Sequence, residues 1–306
     1  MTAALTALLA VLFDRLFKEP PRWHPLVGFG WLANKVEALF YGPLAATLWS
    51  RRLRGLFSVL LLLGGIVLPL AVGLRGMGSL AWLGEAILLY LALGGASLGQ
   101  HAAEIRAALQ AGDLEQAREK VGRIVSRDTA AMDETAVARA AVESVLENGC
   151  DAVFGALFWF FVAGAPGAIA YRLANTLDAM WGYKIEHYLH FGWAAARLDD
   201  ALNWIPARLT ALTYALFGNA PLAWRCWRGQ AMAWESPNAG PVMAAGAGAL
   251  SVRLGGPAMY HGRLEDRPPL GAGDAPGERD IGRAVTLVRR GMWLWLAVAG
   301  IGWALA

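Results

Sequence analysis

Long apolar runs, each close to the length of a membrane helix, alternate along this chain with shorter stretches that are rich in charge. A bilayer core about 30 Å thick requires about 20 mostly apolar helical residues. Four windows approach that length: 55–74, 79–98, 153–171, and 291–306 with its preceding turn. A fifth, 201–217, is weaker because it contains Pro206 and Arg208. The pattern predicts an all-α, polytopic membrane protein with about four to five membrane helices.

The third window, 153–171, is interrupted by small and helix-breaking residues: Gly164, Pro166 and Gly167. Such interruptions occur at membrane depth where protein shields the open backbone groups. If this window crossed the bilayer fully, the polar stretches on its two sides would face opposite compartments and would not share a site. We therefore predict a broken or re-entrant segment.

Basic residues flank the first window unequally, with Arg51, Arg52 and Arg54 before it and Arg75 alone after it. Cytoplasmic loops carry an excess of basic residues. Residue 50 is therefore expected inside the cell and residue 75 outside. The second window returns the chain, so the segment 99–148 is predicted to be cytoplasmic.

That segment, 99–148, is predicted to be a small helical insertion. Gly112 is a typical C-terminal stop for one helix, and Asp113 with Gln116 fits a capping box for the next. Asp133 and Glu134 suit the first turn of the helix that follows. We expect these helices to form a bundle.

Proline-rich and glycine-rich stretches predict the loops and the tight contacts. The stretch 14–30 is predicted to be a structured surface loop, because prolines deny donors to a helix. Its prolines are Pro20, Pro21 and Pro25. Within it, Trp23 suits an interfacial anchor and His24 a ligand contact. The stretch 236–250 is rich in Gly and Ala, which predicts close helix packing, whereas 263–280 is predicted to be a mobile loop.

The composition supports a membrane protein and excludes several other classes. The 306 residues are 57% hydrophobic and 17% charged, against about 25% charged in ordinary soluble domains. The net charge of +3 suits anionic lipids or substrates and does not indicate nucleic-acid binding. We find no strand-like alternation, Walker A sequence, complete G-x-G-x-x-G or zinc pattern. The chain is predicted to be one membrane-embedded catalytic domain, 1–306.

Four charged residues recur at intervals of four and would line one stripe of a helix: Arg139, Glu143, Glu147 and Asp151. A solvated helix face with one Arg–Glu pair, worth about 0.3–0.5 kcal/mol, is the simpler interpretation. The stripe runs into an apolar segment where solvation would be poor. A site for Mg²⁺ or a cationic substrate is therefore the preferred hypothesis, because hard cations prefer oxygen ligands.

Further polar residues beside the apolar windows are candidates because ionisable groups there are costly to keep. Asp199 and Asn203 share one helix face, and either Asp199 or Asp200 is expected to pair with Arg197 or Arg208, which leaves the other for metal. Three residues fit helix caps or turns as well as functional roles: Asp128, Ser236 and Asn238.

At these residues the chain resembles the adenosylcobinamide-phosphate synthases of cobalamin biosynthesis, the CobD/CbiB family. The resemblance covers nearly the whole chain through long motifs in order: E-P-P-R-W-H-P-L-V-G from Glu19, S-R-D-T from Ser126, A-R-A-A-V-E-S-V-L-E-N from Ala138, N-T-L-D-A-M-W-G-Y-K from Asn175, F-G-W-A-A-A-R-L-D-D-A-L-N-W-I-P-A-R-L from Phe191, and S-P-N-A-G from Ser236. The chain departs at Gly149 and Cys150, where many members resemble E-N-T-S-D-G.

The resemblance implies a multi-pass enzyme of the inner membrane whose active site faces the cytoplasm. Such enzymes use ATP to join a propionate carboxylate of adenosylcobyric acid, a corrinoid, to the amine of (R)-1-aminopropan-2-yl phosphate or a related amino alcohol phosphate. ATP and Mg²⁺ are the implied cofactors. The lipid bilayer is an implied partner, and a homo-oligomer or a complex with later pathway enzymes is a further expectation.

The candidate residues then receive hypothetical roles. The catalytic set is Glu143, Glu147, Asn148, Asn175, Asp178 and Lys184. Its acidic residues handle Mg²⁺ or the amine, its asparagines orient the carboxylate, and Lys184 holds a phosphate. The substrate-binding set holds phosphates and the corrinoid: His24, Arg127, Asp128, Arg139, Tyr183, Arg197, Asn203, Arg208, Ser236 and Asn238. The metal set supplies oxygen ligands: Glu147, Asp151, Asp199 and Asp200. We expect the clusters on both sides of the interrupted window to converge on one pocket, with Glu147 and Lys184 on the same side of the bilayer.

Two other classes compete with the ligase. A transporter would be expected to show paired broken helices in two symmetric halves, and the sequence shows one such segment. A non-catalytic membrane sensor related to the same family would not need the Asp, Asn and Arg positions intact.

Overall fold

The computed structural model describes residues 2–19, 24–43, 47–260 and 262–305. The first seven α-helices are α1 Ala3–Phe17, α2 Pro25–Phe40, α3 Leu48–Gly76, α4 Ala81–Ala92, α5 Gly95–Gln110, α6 Leu114–Gly122 and α7 Glu134–Gly149. The remaining six are α8 Gly155–Trp181, α9 Tyr188–Phe191, α10 Trp193–Phe217, α11 Ala220–Gln230, α12 Ala239–Leu250 and α13 Glu278–Leu305. Shorter elements are the 3₁₀ turns Gly78–Leu80 and Ala231–Ala233, the π-helix Cys150–Phe154, and the strands β1 Arg253–Gly255, β2 Ala258–Tyr260, β3 Arg263–Glu265 and β4 Pro269–Gly271.

The chain divides into two compact units. Unit 1 comprises Met1–Gly94, Gly155–Asn203 and Gly302–Ala306, and unit 2 comprises Gly95–Phe154 and Trp204–Ile301.

Four helical stretches in the described part of the chain are long and apolar enough to cross a membrane: Leu48–Gly76, Gly78–Gln110, Glu134–Trp181 and Glu278–Leu305. Each contains one of the four predicted windows, so the prediction of an all-α, multi-pass membrane protein is confirmed. In α3 the most apolar window has a mean hydropathy of 2.5 and is only 22% buried. A helix that is apolar on its exposed faces fits a lipid environment. The weaker fifth window lies in α10, which does not meet the criteria for a span.

Unit 1 packs α1 against α4, α4 against α8, and α3 against α8 and α9. Its core includes Leu62, Leu177, Trp181 and Phe191, all almost fully buried. One close approach is at Gly55 in α3, where an added Cβ would lie 1.9 Å from the backbone oxygen of Phe191. Glycine is therefore required at the point where α3 meets α9.

The predicted break in the third window is present in α8. Ala163 (φ −137°, ψ 19°) and Gly164 (φ 66°, ψ −164°) leave helical geometry just before Pro166. Glycine adopts a positive φ without the steric cost that a side chain brings. The interruption is confirmed, and a re-entrant course through the membrane stays a prediction.

The predicted helical insertion falls within unit 2, where α5, α6 and α7 pack on one another. Gly112 adopts φ +72° beyond the end of α5. The Asp113 Oδ1 atom accepts from the backbone N–H of Gln116 at 2.9 Å, and the Asp133 Oδ1 atom accepts from that of Ala136 at 2.7 Å. The predicted helix stop and both caps are confirmed, while the cytoplasmic location stays a prediction.

Helix α12 is completely buried in unit 2. A Cβ added at Gly246 would lie 2.8 Å from the Leu146 side chain, and one added at Gly248 would lie 2.7 Å from the Ala223 backbone. The predicted close packing is confirmed. In the same unit, a Cβ added at Gly149 would lie 2.5 Å from the Tyr214 hydroxyl, so any side chain at this position would require its neighbours to move.

Two small antiparallel sheets, β1 with β4 and β2 with β3, are a feature that the sequence did not predict. The strands have three residues each, which is too short for alternation to be visible. Strands β3 and β4 and the start of α13 lie in 263–280, the predicted mobile loop, so regular structure replaces the expected irregular segment there. The mobility itself stays a prediction.

The segment 14–30 also differs from the expected surface loop. Helix α1 continues to Phe17, and Asp14 within it is buried. Pro25 begins α2, because its missing N–H costs nothing in the first turn of a helix. Pro20, Pro21 and Trp23 lie outside the described residues.

Candidate active site

A buried carboxylate, Glu143 on α7, is the centre of a cluster of charges in unit 2. Arg127 Nη2 donates to Glu143 Oε2, and Arg267 donates from Nη1 to Oε2 at 3.1 Å and from Nη2 to Oε1 at 3.4 Å. The backbone N–H of Gly255 donates to Oε1 at 2.7 Å. A carboxylate that is only 2% exposed requires such compensation.

This cluster ties together three parts of the chain, which are the segment before α7, α7 itself and the β3–β4 connection. Glu143 was predicted to handle Mg²⁺ or the amine. Both of its oxygens already accept from protein donors, so its contacts favour a role in positioning Arg127 and Arg267. The catalytic role of Glu143 stays a prediction.

A cavity of about 410 Å³ opens beside the Glu143 cluster. Four predicted site residues line it: Arg127, Glu143, Glu147 and Asn148. Further lining residues were not predicted, among them Trp234, Glu235, Glu265, Asp266 and Arg267. The volume lies within the range of small-molecule sites, about 300–1,000 Å³. Carboxylates and arginines in one cavity suit a substrate that carries charges of both signs.

The predicted stripe of four charged residues is continuous only as far as Glu147, its third member. Helix α7 finishes at Gly149 and continues as a π-helix, in which the wider turn changes the angular spacing. Asp151 lies in that π-helix and so does not continue the repeat. Within the described residues, no group of three or more His, Cys, Asp or Glu side chains is arranged to hold a metal ion. Mg²⁺ often binds one or two carboxylates together with substrate phosphates, and its binding here stays a prediction.

Asp128 does not cap a helix. Its Oδ2 atom accepts from the backbone N–H of Gly262 at 2.7 Å, and its own N–H donates to Met259 O at 2.9 Å. Asp128 therefore fastens the β2–β3 hairpin of unit 2 to the segment that carries Arg127.

Arg208, Ser236 and Asn238 meet in unit 2 at the start of α12. Ser236 Oγ accepts from the backbone N–H groups of Asn238 at 3.3 Å and Ala239 at 3.1 Å. The predicted turn is thereby confirmed, whereas the Asn238 side chain makes no cap hydrogen bond at the start of α12. Arg208 donates to Asn238 Oδ1 at 2.8 Å and to Pro237 O at 3.1 Å. This arginine holds the turn, which leaves fewer donors for the predicted phosphate.

In unit 1, Asp199 lies within a network of amides. Asn203 Nδ2 donates to both Asp199 oxygens at 3.1 Å, and Asn175 Nδ2 donates to Oδ1 at 3.3 Å. Tyr171, a residue that the sequence did not single out, donates its hydroxyl to Asn203 Oδ1 at 2.8 Å. These contacts hold the Asp199 carboxylate in place.

The adjacent carboxylate, Asp200, pairs with Arg197 at 3.1 Å. The expected pairing of one aspartate with Arg197 or Arg208 is confirmed. The other aspartate, Asp199, accepts from the amides of Asn175 and Asn203, and its role as a metal ligand stays a prediction.

Burial raises the pKa of Asp199 from 3.8 to about 6, against the opposing effect of the hydrogen bonds from Asn175 and Asn203, and the charge of Asp200 adds to the rise. A carboxyl whose pKa is higher in the folded state stabilises the fold when protonated, and that contribution is lost as the pH rises through about 6. We expect the melting temperature of the purified protein to fall between about pH 4 and 7.

In this test, Asp199→Asn should make the melting temperature less dependent on pH, because an amide does not titrate. Glu115→Gln, which changes an exposed carboxyl on α6, should keep the wild-type profile. Differential scanning calorimetry in detergent would measure both. An unchanged profile in Asp199→Asn would contradict the assignment.

His24 caps α2, since its Nδ1 atom accepts from the backbone N–H of Leu26 at 3.3 Å. Burial lowers the pKa of His24, Arg172 lowers it further, and Glu19 opposes the shift. A lower pKa favours the neutral imidazole, which this acceptor role requires. The predicted ligand contact of His24 stays a prediction.

The segment that carries Tyr183 and Lys184 follows α8 and is exposed. Its start is set by Asp178, whose backbone oxygen accepts from the N–H of Gly182 at 2.6 Å. Its end is held by Glu37, which contacts His187 Nε2 at 2.7 Å and accepts from Trp181 Nε1 at 3.0 Å. Glu37 was missed, although an acidic residue in the apolar stretch 25–40 was a visible signal.

The structure thus brings the predicted residues together in three groups. The cavity group is Arg127, Glu143, Glu147 and Asn148; the turn group is Arg208, Ser236 and Asn238; the amide group is Asn175, Asp199 and Asn203. Glu147 belongs to unit 2 and Lys184 to unit 1, and their convergence on one pocket stays a prediction. Arg267 was missed because its stretch was expected to be mobile.

Comparison with known proteins identifies relatives over almost the whole chain. The sequence model of the family described as CobD/Cbib protein matches residues 7–288. The chain is similar to the cobalamin biosynthesis protein CobD of Chromobacterium violaceum, with 62% identity over 98% of this chain and 96% of that protein. The protein of that name from Stutzerimonas stutzeri is 55% identical, with 99% and 98% covered, and that of Mycobacterium tuberculosis H37Rv is 41% identical, with 94% and 92% covered. No solved structure matches. The chain therefore belongs to the CobD/Cbib family.

Proposed function

We propose that this protein is an acid–amine ligase of cobalamin biosynthesis. It would join a propionate carboxylate of adenosylcobyric acid to the amine of (R)-1-aminopropan-2-yl phosphate, or of a related amino alcohol phosphate, and form adenosylcobinamide phosphate. Family membership supports the pathway. The observation that carries the reaction type is the cavity in which Glu147, Glu235, Glu265 and Asp266 occur beside Arg127 and Arg267.

The reaction requires activation of the carboxylate and removal of a proton from the amine, and the cavity has side chains suited to both steps. A carboxylate does not react with an amine, so ATP, with Mg²⁺ on its phosphates, would supply the activation by phosphorylating the carboxylate and releasing ADP. The amine would then displace phosphate and lose a proton. The arginines stabilise the negative charge that develops at the acyl group. A carboxylate near the amine accepts the proton, and we assign this role to Glu147.

The acidic residues of the cavity also attract the substrate as an ammonium ion before it reacts. Glu147, which lines the cavity, is the proposed group for proton removal, whereas Glu143 positions Arg127 and Arg267. Asn148, which lines the same cavity, would orient the propionate carboxylate through its side-chain amide. An active site that faces the cytoplasm of the inner membrane would meet ATP there, and the enzyme would act as a multi-pass protein in the bilayer.

Purified protein in lipid nanodiscs tests the proposal directly. Incubation with ATP, Mg²⁺, the amino alcohol phosphate and adenosylcobyric acid should give the amide product and ADP, detected by mass spectrometry. Glu147→Gln should lower turnover by at least about 100-fold, the lower range of general acid–base effects. Its melting temperature should stay close to that of the wild type.

Glu115→Gln on α6 is the matched control, because it removes a carboxylate outside the cavity. Its turnover should equal that of the wild type. Full turnover in Glu147→Gln would remove this residue from the mechanism. If the wild type binds the corrinoid without turnover, the ligase proposal is contradicted and a sensor is favoured. Corrinoid uptake into proteoliposomes would favour a transporter.

A further inference from the structure

A second cavity of about 170 Å³ in unit 2 contains three arginines, Arg127, Arg139 and Arg267. We call it the arginine pocket. Arg127 and Arg267 line both this pocket and the 410 Å³ cavity, so the two spaces share these side chains as a wall. The arginine pocket therefore adjoins the proposed ligase site.

We propose that the arginine pocket binds the phosphate group of a small phosphate monoester. The inference rests on the proposed function in one respect, since an amino alcohol phosphate is a compound of this class.

The charge in the pocket favours a bound anion. Three guanidinium groups face two nearby carboxylates, Asp128 in the pocket and Glu143 at the wall. One of the Asp128 oxygens is already used by the backbone N–H of Gly262. Glu143 pairs with Arg127 and Arg267, so Arg139 is the arginine of the pocket that pairs with no carboxylate in the described part of the chain.

Arg139 is the clearest sign of that unmet charge. In the part of the chain that the structure describes, this partly buried arginine makes neither a hydrogen bond nor an ion pair. Its side-chain nitrogen atoms are not fully buried, so they are open to a ligand. A phosphate bound in the pocket would supply the missing partner.

The other two arginines are held in place with donors to spare. A guanidinium carries five N–H donors. Arg267 uses Nε for Gly256 O and one donor of each Nη for Glu143, whereas Arg127 uses Nη2 for Glu143. The remaining N–H donors of these two arginines belong to side chains that Glu143 already holds in position. Planar guanidinium groups bind phosphate through two parallel hydrogen bonds.

The size and the apolar part of the pocket define the class of ligand. A volume of 170 Å³ is well below the roughly 300–1,000 Å³ of ordinary ligand sites. A nucleotide is excluded by size, and a phosphate with a short alkyl group fits. Met132, Met259 and Leu264 line the pocket and would contact that alkyl group.

Binding to the intact protein in nanodiscs, without ATP or corrinoid, tests the proposal by isothermal titration. The probes are 1-aminopropan-2-yl phosphate, its dephosphorylated form 1-aminopropan-2-ol, and inorganic phosphate. We expect the phosphate ester to bind at least about tenfold more tightly than the alcohol, and inorganic phosphate to compete with it. Arg139→Gln should weaken binding of the ester by about tenfold or more, as expected for the loss of a charge-assisted hydrogen bond.

Arg123→Gln is the matched control. It removes the same charge from an exposed arginine that pairs with Glu119 outside the pocket, and it should bind the ester like the wild type. Ala136→Leu adds volume to the pocket wall without changing charge and should also abolish binding. Melting temperatures show whether each variant is folded.

Wild-type affinity in both Arg139→Gln and Ala136→Leu would overturn the proposal. The test separates this proposal from the ligase. The protein could bind the ester in a way that depends on Arg139 and yet form no amide. That result would support phosphate binding in the arginine pocket and contradict the proposed ligase reaction. Amide formation, together with ester binding that does not depend on Arg139, would support the ligase reaction and contradict the arginine pocket as the phosphate site.

Discussion

Replacing Glu143 by glutamine is expected to destabilise the protein by about 3–5 kcal/mol, the usual cost of removing one partner from a buried ion pair. Glu143 is 3% exposed at its side chain and Arg127 and Arg267 are 9% and 12% exposed. Without the carboxylate, two largely buried guanidinium groups would lose the ion pairs that hold them in place. The cavity and the β3–β4 connection would lose their common anchor. Thermal melting of the detergent-purified variant measures the loss.

Glu119→Gln is the control for that experiment. Glu119 pairs with Arg123, but both side chains are more than half exposed, at 65% and 55%. Exposed pairs of this kind contribute about 0–1 kcal/mol, so the melting temperature should barely change. A second variant, Glu143→Gln with Arg267→Gln, should recover part of the loss, because the two effects are coupled. If Glu143→Gln melts like the wild type, the cluster does not anchor this part of the fold.

Replacing Gly55 by alanine is expected to cost about 3 kcal/mol or more, at the upper end of overpacking effects. The new Cβ would lie 1.9 Å from the Phe191 oxygen, 2.8 Å from its carbonyl carbon and 3.2 Å from its Cα. These are backbone atoms, so no side-chain rotation relieves the contact. Helix α3 and α9 would have to separate, and α9 follows the segment that carries Tyr183 and Lys184.

Gly64→Ala, in the same helix, is the matched control. No atom lies within 4 Å of a Cβ added there. Alanine has a higher helix propensity than glycine by about 1 kcal/mol, so this variant should melt at the same temperature as the wild type or slightly above it. Yield and melting temperature of the two variants, measured side by side, give the comparison. Equal stability would show that α3 does not approach Phe191 this closely.

Local features of the fold followed from the sequence because their causes lie within a few residues. The apolar windows predicted the four membrane helices, and Gly112, Asp113 and Asp133 marked helix ends through contacts no more than four residues away. The break at Gly164 was predicted for the same reason. The three-residue strands were not, because they are too short to show alternation, and Arg253 in β1 is paired with the distant Gly271 in β4.

Among the site residues, contacts between near neighbours in the sequence could be predicted, and contacts between distant residues could not. Asp199 and Asn203 are four residues apart, so one helix turn was enough to pair them. The sequence indicated that Glu143, in a helix running into an apolar segment, needed a cation. It did not indicate that the cation would be Arg267, which lies 124 residues away in a stretch expected to be mobile.

The sequence by itself therefore determined the membrane class, the helices with their caps and break, and the family resemblance, since each is written in short-range pattern or in motif order. Only the tertiary structure decided that Arg127 and Arg267 share the Glu143 carboxylate and that Arg139 joins them at a second pocket. The physical reason is that a buried charge specifies the kind of partner it needs, while the path of the backbone selects which distant residue meets that need.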